Sequence, residues 1–191
     1  MSLNIKIILA SVREGRFGDK PAKWIFNIAK QQEGLSVELL DLKDYQLPIF
    51  AEAVSPAYVK DAYATIEVNH WAEKIAEADA FIIVTPEYNN GYPSSLKNNI
   101  DYLYKEWNKK SICFVSYGSA GGARAVQQLK EVSIELQMAP IRNNVHIMSP
   151  WLMTEADGTL KPGALDAYVK PAQSMLAQLL WWANALKKAR G

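Results

Sequence analysis

Three short stretches of this chain carry residues suited to holding a planar, anionic small molecule. The first is Ser11-Val12-Arg13-Glu14-Gly15-Arg16-Phe17-Gly18, which runs straight into a segment of helical period. Its glycines let successive backbone N–H groups converge, and a helix start adds partial positive charge. Its two arginines can bind phosphate oxygens bidentately. Read alone, the stretch is equally a surface turn with solvated arginines. It is neither Gly-x-Gly-x-x-Gly nor Gly-x4-Gly-Lys-Ser/Thr, which argues against a dinucleotide-binding first turn and against a P-loop.

The second stretch begins Thr85-Pro86-Glu87-Tyr88-Asn89-Asn90-Gly91-Tyr92-Pro93. Two prolines stiffen a loop that offers aromatic rings and free N–H groups, a combination able to hold a heterocycle with polar edges. A plain strand-to-helix connector would read the same way. The third is Ser116-Tyr117-Gly118-Ser119-Ala120-Gly121-Gly122, where glycines allow close backbone approach and Tyr117 can cover a ring face.

These loops need elements to bring them together. β-rich runs at Ile5 to Ala10, Val37 to Leu40, Ala80 to Val84, Ile112 to Val115 and Val145 to Ile147 alternate with segments of helical period. The helical faces are marked by Phe17, Pro21, Trp24, Ile25 and Ile28; by Val59, Ala62, Tyr63, Ile66 and Ile75; and by Leu96, Ile100, Leu103 and Tyr104. Val126 to Leu136 and Leu165 to Leu186 carry two more, with Pro171 expected to kink or delay the last. Gly34 is placed to end the first helix and Asp19 or a neighbour to cap it. Such alternation predicts an α/β three-layer fold, a five-stranded parallel sheet of order 2-1-3-4-5 with helices on both faces. No repeat or polar linker divides residues 1–191, so one domain is expected. In that fold the three loops follow strands one, three and four at one edge of the sheet, where ligands bind.

Composition narrows the partners. The chain has 191 residues, 49% hydrophobic and 21% charged, as ordinary globular proteins do. Its 21 Lys and Arg nearly balance 20 Asp and Glu, for a net charge of +1, which disfavours nucleic acid or an anionic membrane as a chain-wide partner. No apolar run reaches the ~18 residues of a membrane span, and the first residues do not read as a signal peptide, so a cytoplasmic setting is expected. Cys113 is the one cysteine, which excludes an internal disulfide and a thiolate metal cluster; in a buried strand it reads as a core residue. His70 and His146 lie far apart, and no metal site is expected. Trp107, Trp151 and the Trp181-Trp182 pair can serve the core, a subunit interface or the rim of a site.

The three loops resemble the NADPH-dependent FMN reductase family, flavodoxin-like proteins that include quinone, chromate and azo-dye reductases. The matching residues are Ser11-x-Arg13 with Arg16, then Thr85-Pro86-Glu87-Tyr88-Asn89 leading to Gly91-Tyr92-Pro93 and Leu96-Lys97-Asn98-x-Ile100-Asp101. Ser116-x-Gly118 with Gly121-Gly122, Asp41-Leu42 with Leu47-Pro48, and the tail from Leu180 to Leu186 complete a likeness covering nearly the whole chain.

The resemblance implies a non-covalent FMN. Ser11, Arg13, Arg16, Phe17 and Gly18 would surround its phosphate, although family members commonly carry Ser or Asn where Arg16 stands. Pro86, Glu87, Tyr88 and Asn89 would line the isoalloxazine edge, and Ser116, Tyr117, Gly118, Gly121 and Gly122 would close the other side. It further implies hydride transfer from NADPH or NADH to the flavin and onward to quinone, azo, metal-oxyanion or free-flavin acceptors, without a side-chain nucleophile or general base. Glu87 is then expected to be solvated or to touch a partner subunit. A homodimer or homotetramer is implied as well. The competing expectation is a flavodoxin-type FMN electron carrier that does not turn over pyridine nucleotide, though such carriers present an acidic face that this chain's balance does not suggest.

Overall fold

Along the strands, alternate side chains serve two different cores. The computed structural model describes residues 2–191. β1 (Leu3–Leu9) sends Leu3, Ile5, Ile7 and Leu9 to one face and Ile8 to the other. Beyond β2 (Leu35–Asp41), β3 (Ala80–Pro86) and β4 (Ser111–Gly118) divide likewise. Ala80, Ile82, Val84, Cys113, Val115 and Tyr117 face one core, and Phe81, Ile83, Ile112 and Phe114 the other. The first face is covered by α1 (Asp19–Lys30) and α5 (Val169–Arg190). The second is covered by α2 (Ile66–Ala76), α3 (Ser94–Asp101) and α4 (Ala123–Glu135). Burial on both faces is why β3 and β4 are unbroken apolar runs. Cys113 is fully buried, and burial pushes its thiol well above the ordinary range.

All strand pairings are parallel, in the order β2-β1-β3-β4. The fifth position is shared by two pieces that both pair with β4, namely β5 (Ala139–Pro140) and β6 (Val145–Met148). The predicted order therefore holds, with its last strand broken in two. Between the pieces, the Phe114 N–H donates to the Asn144 side-chain oxygen at 3.0 Å, so an amide replaces the missing strand carbonyl. The winding reverses between β1 and β3, and the carboxyl ends of β1, β3 and β4 meet at one edge.

Several helix boundaries differ from those the periodicity suggests. Phe17 lies outside α1, with its ring edge-on to Tyr117 at 5.2 Å, and Asp19 bonds Arg16 instead of capping the helix. Gly34, at φ +77°, comes after the helix has ended and turns the chain into β2. Val59 to Tyr63 precede α2, whose start is set by Thr65, its hydroxyl accepting the Val68 N–H at 3.3 Å. The irregular segment before it is held by side chains of α3: Asn98 accepts from Phe50 N–H and donates to the Pro48 carbonyl, and Asn99 donates to the Tyr45 carbonyl. Leu103 and Tyr104 lie beyond α3. Leu165 precedes α5, and Pro171 sits in its first turn, where a missing N–H has no helical partner to lose.

Two features of this frame yield measurable consequences. Buried Lys110 donates to the carbonyls of Ile75 and Ala76 at 2.7 and 2.9 Å, closing the carboxyl end of α2. Burial pushes its pKa down to about 8 from the ordinary 10.5. The folded protein thus sheds this proton before the unfolded chain does, so stability relative to Lys110→Met should rise between those two pH values. Chemical denaturation across that window should show a gain of about 1–3 kcal/mol. At the entrance to α4, Gly122 has φ +74°, and a Cβ there would stand 2.7 Å from Ser116 Cβ and 3.0 Å from Tyr117 N. Gly122→Ala should destabilise by about 2–4 kcal/mol, read as a fall in Tm of roughly 5–15 °C.

Candidate functional site

The loop after β1 opens into α1 with its donors unspent. Among the described residues, no acceptor takes up the backbone N–H groups of Glu14 through Gly18. A run of free N–H groups at the start of a 12-residue helix is an anion site by geometry and by dipole. The loop is shaped by Arg16, which is buried. Its guanidinium forks onto both oxygens of Asp41 at the end of β2, bonds Asp19 at 2.9 Å, and donates to the Ser11 carbonyl. The hydrogen bond it donates to Asp41 raises the Arg16 pKa further. Burial alone would raise the Asp41 carboxyl, but the Arg16 bond holds it below the ordinary value. Arg13, by contrast, is exposed, lies 5.6 Å from the centre of the Tyr88 ring, and has no carboxylate partner among the described residues.

The loop after β3 forms a tight hairpin. Tyr88 and Gly91 exchange N–H···O bonds at 2.8 and 2.9 Å around Asn89 and Asn90, at φ +50° and +69°. A two-residue turn of this hand needs φ > 0 at both central residues, and asparagine tolerates it. Tyr88 reaches back to Ser11, hydroxyl to hydroxyl at 2.7 Å, which ties the first loop to the second. The Glu87 carboxylate accepts the Arg124 N–H at 3.0 Å and the Arg124 Nε–H at 2.6 Å. The expectation of a solvated or partner-facing Glu87 thus gives way to a capping role at the start of α4, with its side chain only 4% exposed. Burial pushes this carboxyl up, but Arg124 and the α4 N–H groups outweigh that and keep it below the ordinary value.

The turn after β4 closes through Ser116, whose buried hydroxyl bonds the Gly121 carbonyl at 2.6 Å and His146 Nδ1 at 2.8 Å. Burial lowers the His146 pKa. Tyr117 stands over Gly18: a Cβ on Gly18 would lie 2.7 Å from the Tyr117 hydroxyl and 2.8 Å from a Leu9 methyl, so a side chain here would displace one or the other. Burial likewise pushes the Tyr117 hydroxyl well above its ordinary pKa.

Eight of the sequence-predicted residues line one cavity of about 500 Å3: Arg13, Arg16, Phe17, Pro86, Glu87, Tyr88, Tyr117 and Gly118. Ser11 and Gly18 are buried against that wall, bonded or packed to Tyr88 and Tyr117. Ser116, Gly121 and Gly122 shape the β4 turn without lining the cavity, and Asn89 sits exposed at the hairpin tip. The far wall is one the motifs did not mark: Pro150, Trp151, Thr154 and Gly158, from the segment joining β6 to α5. Of the places open to the tryptophans, Trp151 takes the rim of this cavity. Trp107 proves to be core, 1% exposed.

The cavity volume falls within the range of small-molecule sites. One end offers free N–H groups and a cation, and the other offers aromatic and apolar walls, which suits a phosphate joined to a ring system. Residues 3–151 match the family described as NADPH-dependent FMN reductase. An NAD(P)H-dependent FMN reductase of Schizosaccharomyces pombe is 40% identical over 138 residues, 71% of this chain and 69% of that one. A quinone reductase of Escherichia coli is 29% identical over 163 residues, 81% of each. The solved flavoenzyme NAD(P)H:(acceptor) oxidoreductase FerB of Paracoccus denitrificans superposes with a TM-score of 0.75 at 23% identity, over 96% of this chain and 98% of that one, a likeness of fold. With a flavodoxin-like sheet, three loops gathered into one cradle and a family match over most of its length, this chain belongs to the NADPH-dependent FMN reductases.

Proposed function

We propose that residues 1–191 act as one FMN-binding domain and an NAD(P)H-dependent oxidoreductase with small-molecule acceptors, quinones among them. The observation that carries this is the row of unpaired N–H groups from Glu14 to Gly18 at one end of a cavity whose other end is walled by Pro86, Tyr88 and Tyr117. FMN held there would supply two-electron chemistry between NADPH or NADH and an acceptor.

The chain's own residues bind, orient and exclude water. Arg13 and the N–H groups of the first loop hold the phosphate, while Arg16 keeps that loop in shape through Asp41 and Asp19. Ser11 and Gly18 brace Tyr88 and Tyr117 against the cofactor, and Phe17 packs beside Tyr117. Pro86, Glu87, Tyr88 and Asn89 supply the ring-edge loop, and Ser116, Gly118, Gly121 and Gly122 the turn opposite. No side chain acts as nucleophile or general base.

Among the described residues no helix is long and apolar enough to cross a membrane. The near-neutral charge and single buried cysteine support a cytoplasmic setting. The exposed apolar side chains of Ile49, Tyr58, Ile66 and Trp181 support a homodimer or homotetramer.

Purified protein should be yellow, release FMN on denaturation, and oxidise NADPH when a quinone is supplied. Colourless protein that does not take up added FMN refutes the proposal, and flavin retention without NADPH oxidation supports the electron-carrier alternative. Arg13→Ala should raise the FMN Kd by roughly 10- to 100-fold, the worth of one charge-assisted bond, with the Tm of the flavin-free protein unchanged. Arg16→Ala should instead lower that Tm, because it strands the Asp41 carboxylate; Asp41 is partly exposed, so about 1–3 kcal/mol is expected.

A further inference from the structure

The cavity's outer wall is built to present one indole. Trp151 is 60% exposed, whereas Trp71 and Trp107 are buried, and of the six tryptophans it alone lines this cavity. Its backbone is held from both sides. Just before it, Ser149 adopts the left-handed conformation, at φ +47° and ψ +57°, and donates its N–H to the Gly118 carbonyl at 2.9 Å. This pins the segment to the end of β4. Just after it, the Leu152 N–H bonds the Ser149 carbonyl at 2.9 Å, and Lys161 donates from Nζ to the Leu152 carbonyl and from its N–H to the Met153 carbonyl. A short hairpin, bridged between Thr154 and Leu160 and turned at Asp157-Gly158, completes the support.

A non-glycine residue held in the left-handed region persists where its surroundings fix it, and such positions cluster at ligand clamps. Here the fixed segment holds a large apolar ring in solvent, beside a cavity that already contains Phe17, Tyr88 and Tyr117. A flat ring entering that space has four aromatic side chains among those that line it. A compact inorganic ion gains nothing from the indole.

We propose that Trp151 is a specificity-determining residue: its indole stacks on planar aromatic acceptors and favours them over compact inorganic ones. This rests on the cofactor reading given above. The net reaction it favours is NAD(P)H plus a proton plus quinone giving NAD(P)+ plus hydroquinone, with two electrons passed and the second proton drawn from solvent.

The experiment compares the wild type, Trp151→Ala and Trp151→Phe as flavin-loaded enzymes, with saturating NADPH and either menadione or ferricyanide as acceptor. With rates taken per bound flavin, Trp151→Ala should raise the KM for menadione at least about fivefold more than the KM for ferricyanide, and Trp151→Phe should recover most of that difference. Equal shifts for both acceptors or an unmoved menadione KM overturns the proposal. Wild-type protein that retains no FMN overturns the cofactor reading and this proposal with it. A wild type that turns over menadione normally beside an indifferent Trp151→Ala overturns this proposal alone.

Discussion

A single buried guanidinium ties the first loop to the frame. Arg16 reaches Asp41 at the end of β2, Asp19 at the start of α1 and the carbonyl of Ser11 at the end of β1, so three segments share one cation. Burying a charge is costly unless it is paired and hydrogen-bonded, and here both carboxylates and a carbonyl meet that cost. The consequence is local and geometric. The side chain of the loop's second arginine is committed to structure, and the N–H groups of Glu14 to Gly18 have no acceptor among the described residues. Binding capacity in the loop then rests on backbone and on Arg13.

The other two loops are fixed by contacts of the same kind, each joining elements distant in sequence. The Ser11–Tyr88 bond couples the ends of β1 and β3. Glu87 couples the β3 loop to the start of α4, and Ser116 couples the β4 turn to His146 on β6. The first joins two loops, the second a loop to a helix start, and the third two neighbouring strands. Such ties let the sheet set positions while the first loop keeps its free donors, the arrangement a preorganised binding site requires.

What could be read from the residues follows from how far each signal travels along the chain. The apolar runs of β3 and β4 and the alternation with helices are local patterns, and they gave the sheet order and the edge where the loops gather. The basic glycine loop was legible because its chemistry is contiguous. Three things were not. The start of α2 was misplaced because Val59, Ala62 and Tyr63 have helical spacing, yet Tyr63 is held out of the helix by the Asn69 side chain, which bonds its N–H and carbonyl, and by its own hydroxyl donating to Glu106, a tertiary cause. Asp41, onto which Arg16 forks, and Arg124, which bonds Glu87, lie 25 and 37 positions away from them, and charge type alone does not choose between a ligand and an internal mate. Trp151 sits in a four-residue 3-10 turn, Pro150–Met153, too short for periodicity to betray it.

The interruption between β5 and β6 bears on how the molecule behaves when crowded. An outer strand that exposes an unbroken ladder of N–H and C=O groups invites a second chain to zip onto it. On this flank the ladder is cut after two residues, and the amide of Asn144 is turned inward to the neighbouring strand. Runaway sheet growth is thereby obstructed along one border. β2, seven residues long and carrying the engaged carboxylates of Glu38 and Asp41, is left as the border where self-association by strand addition has room to begin.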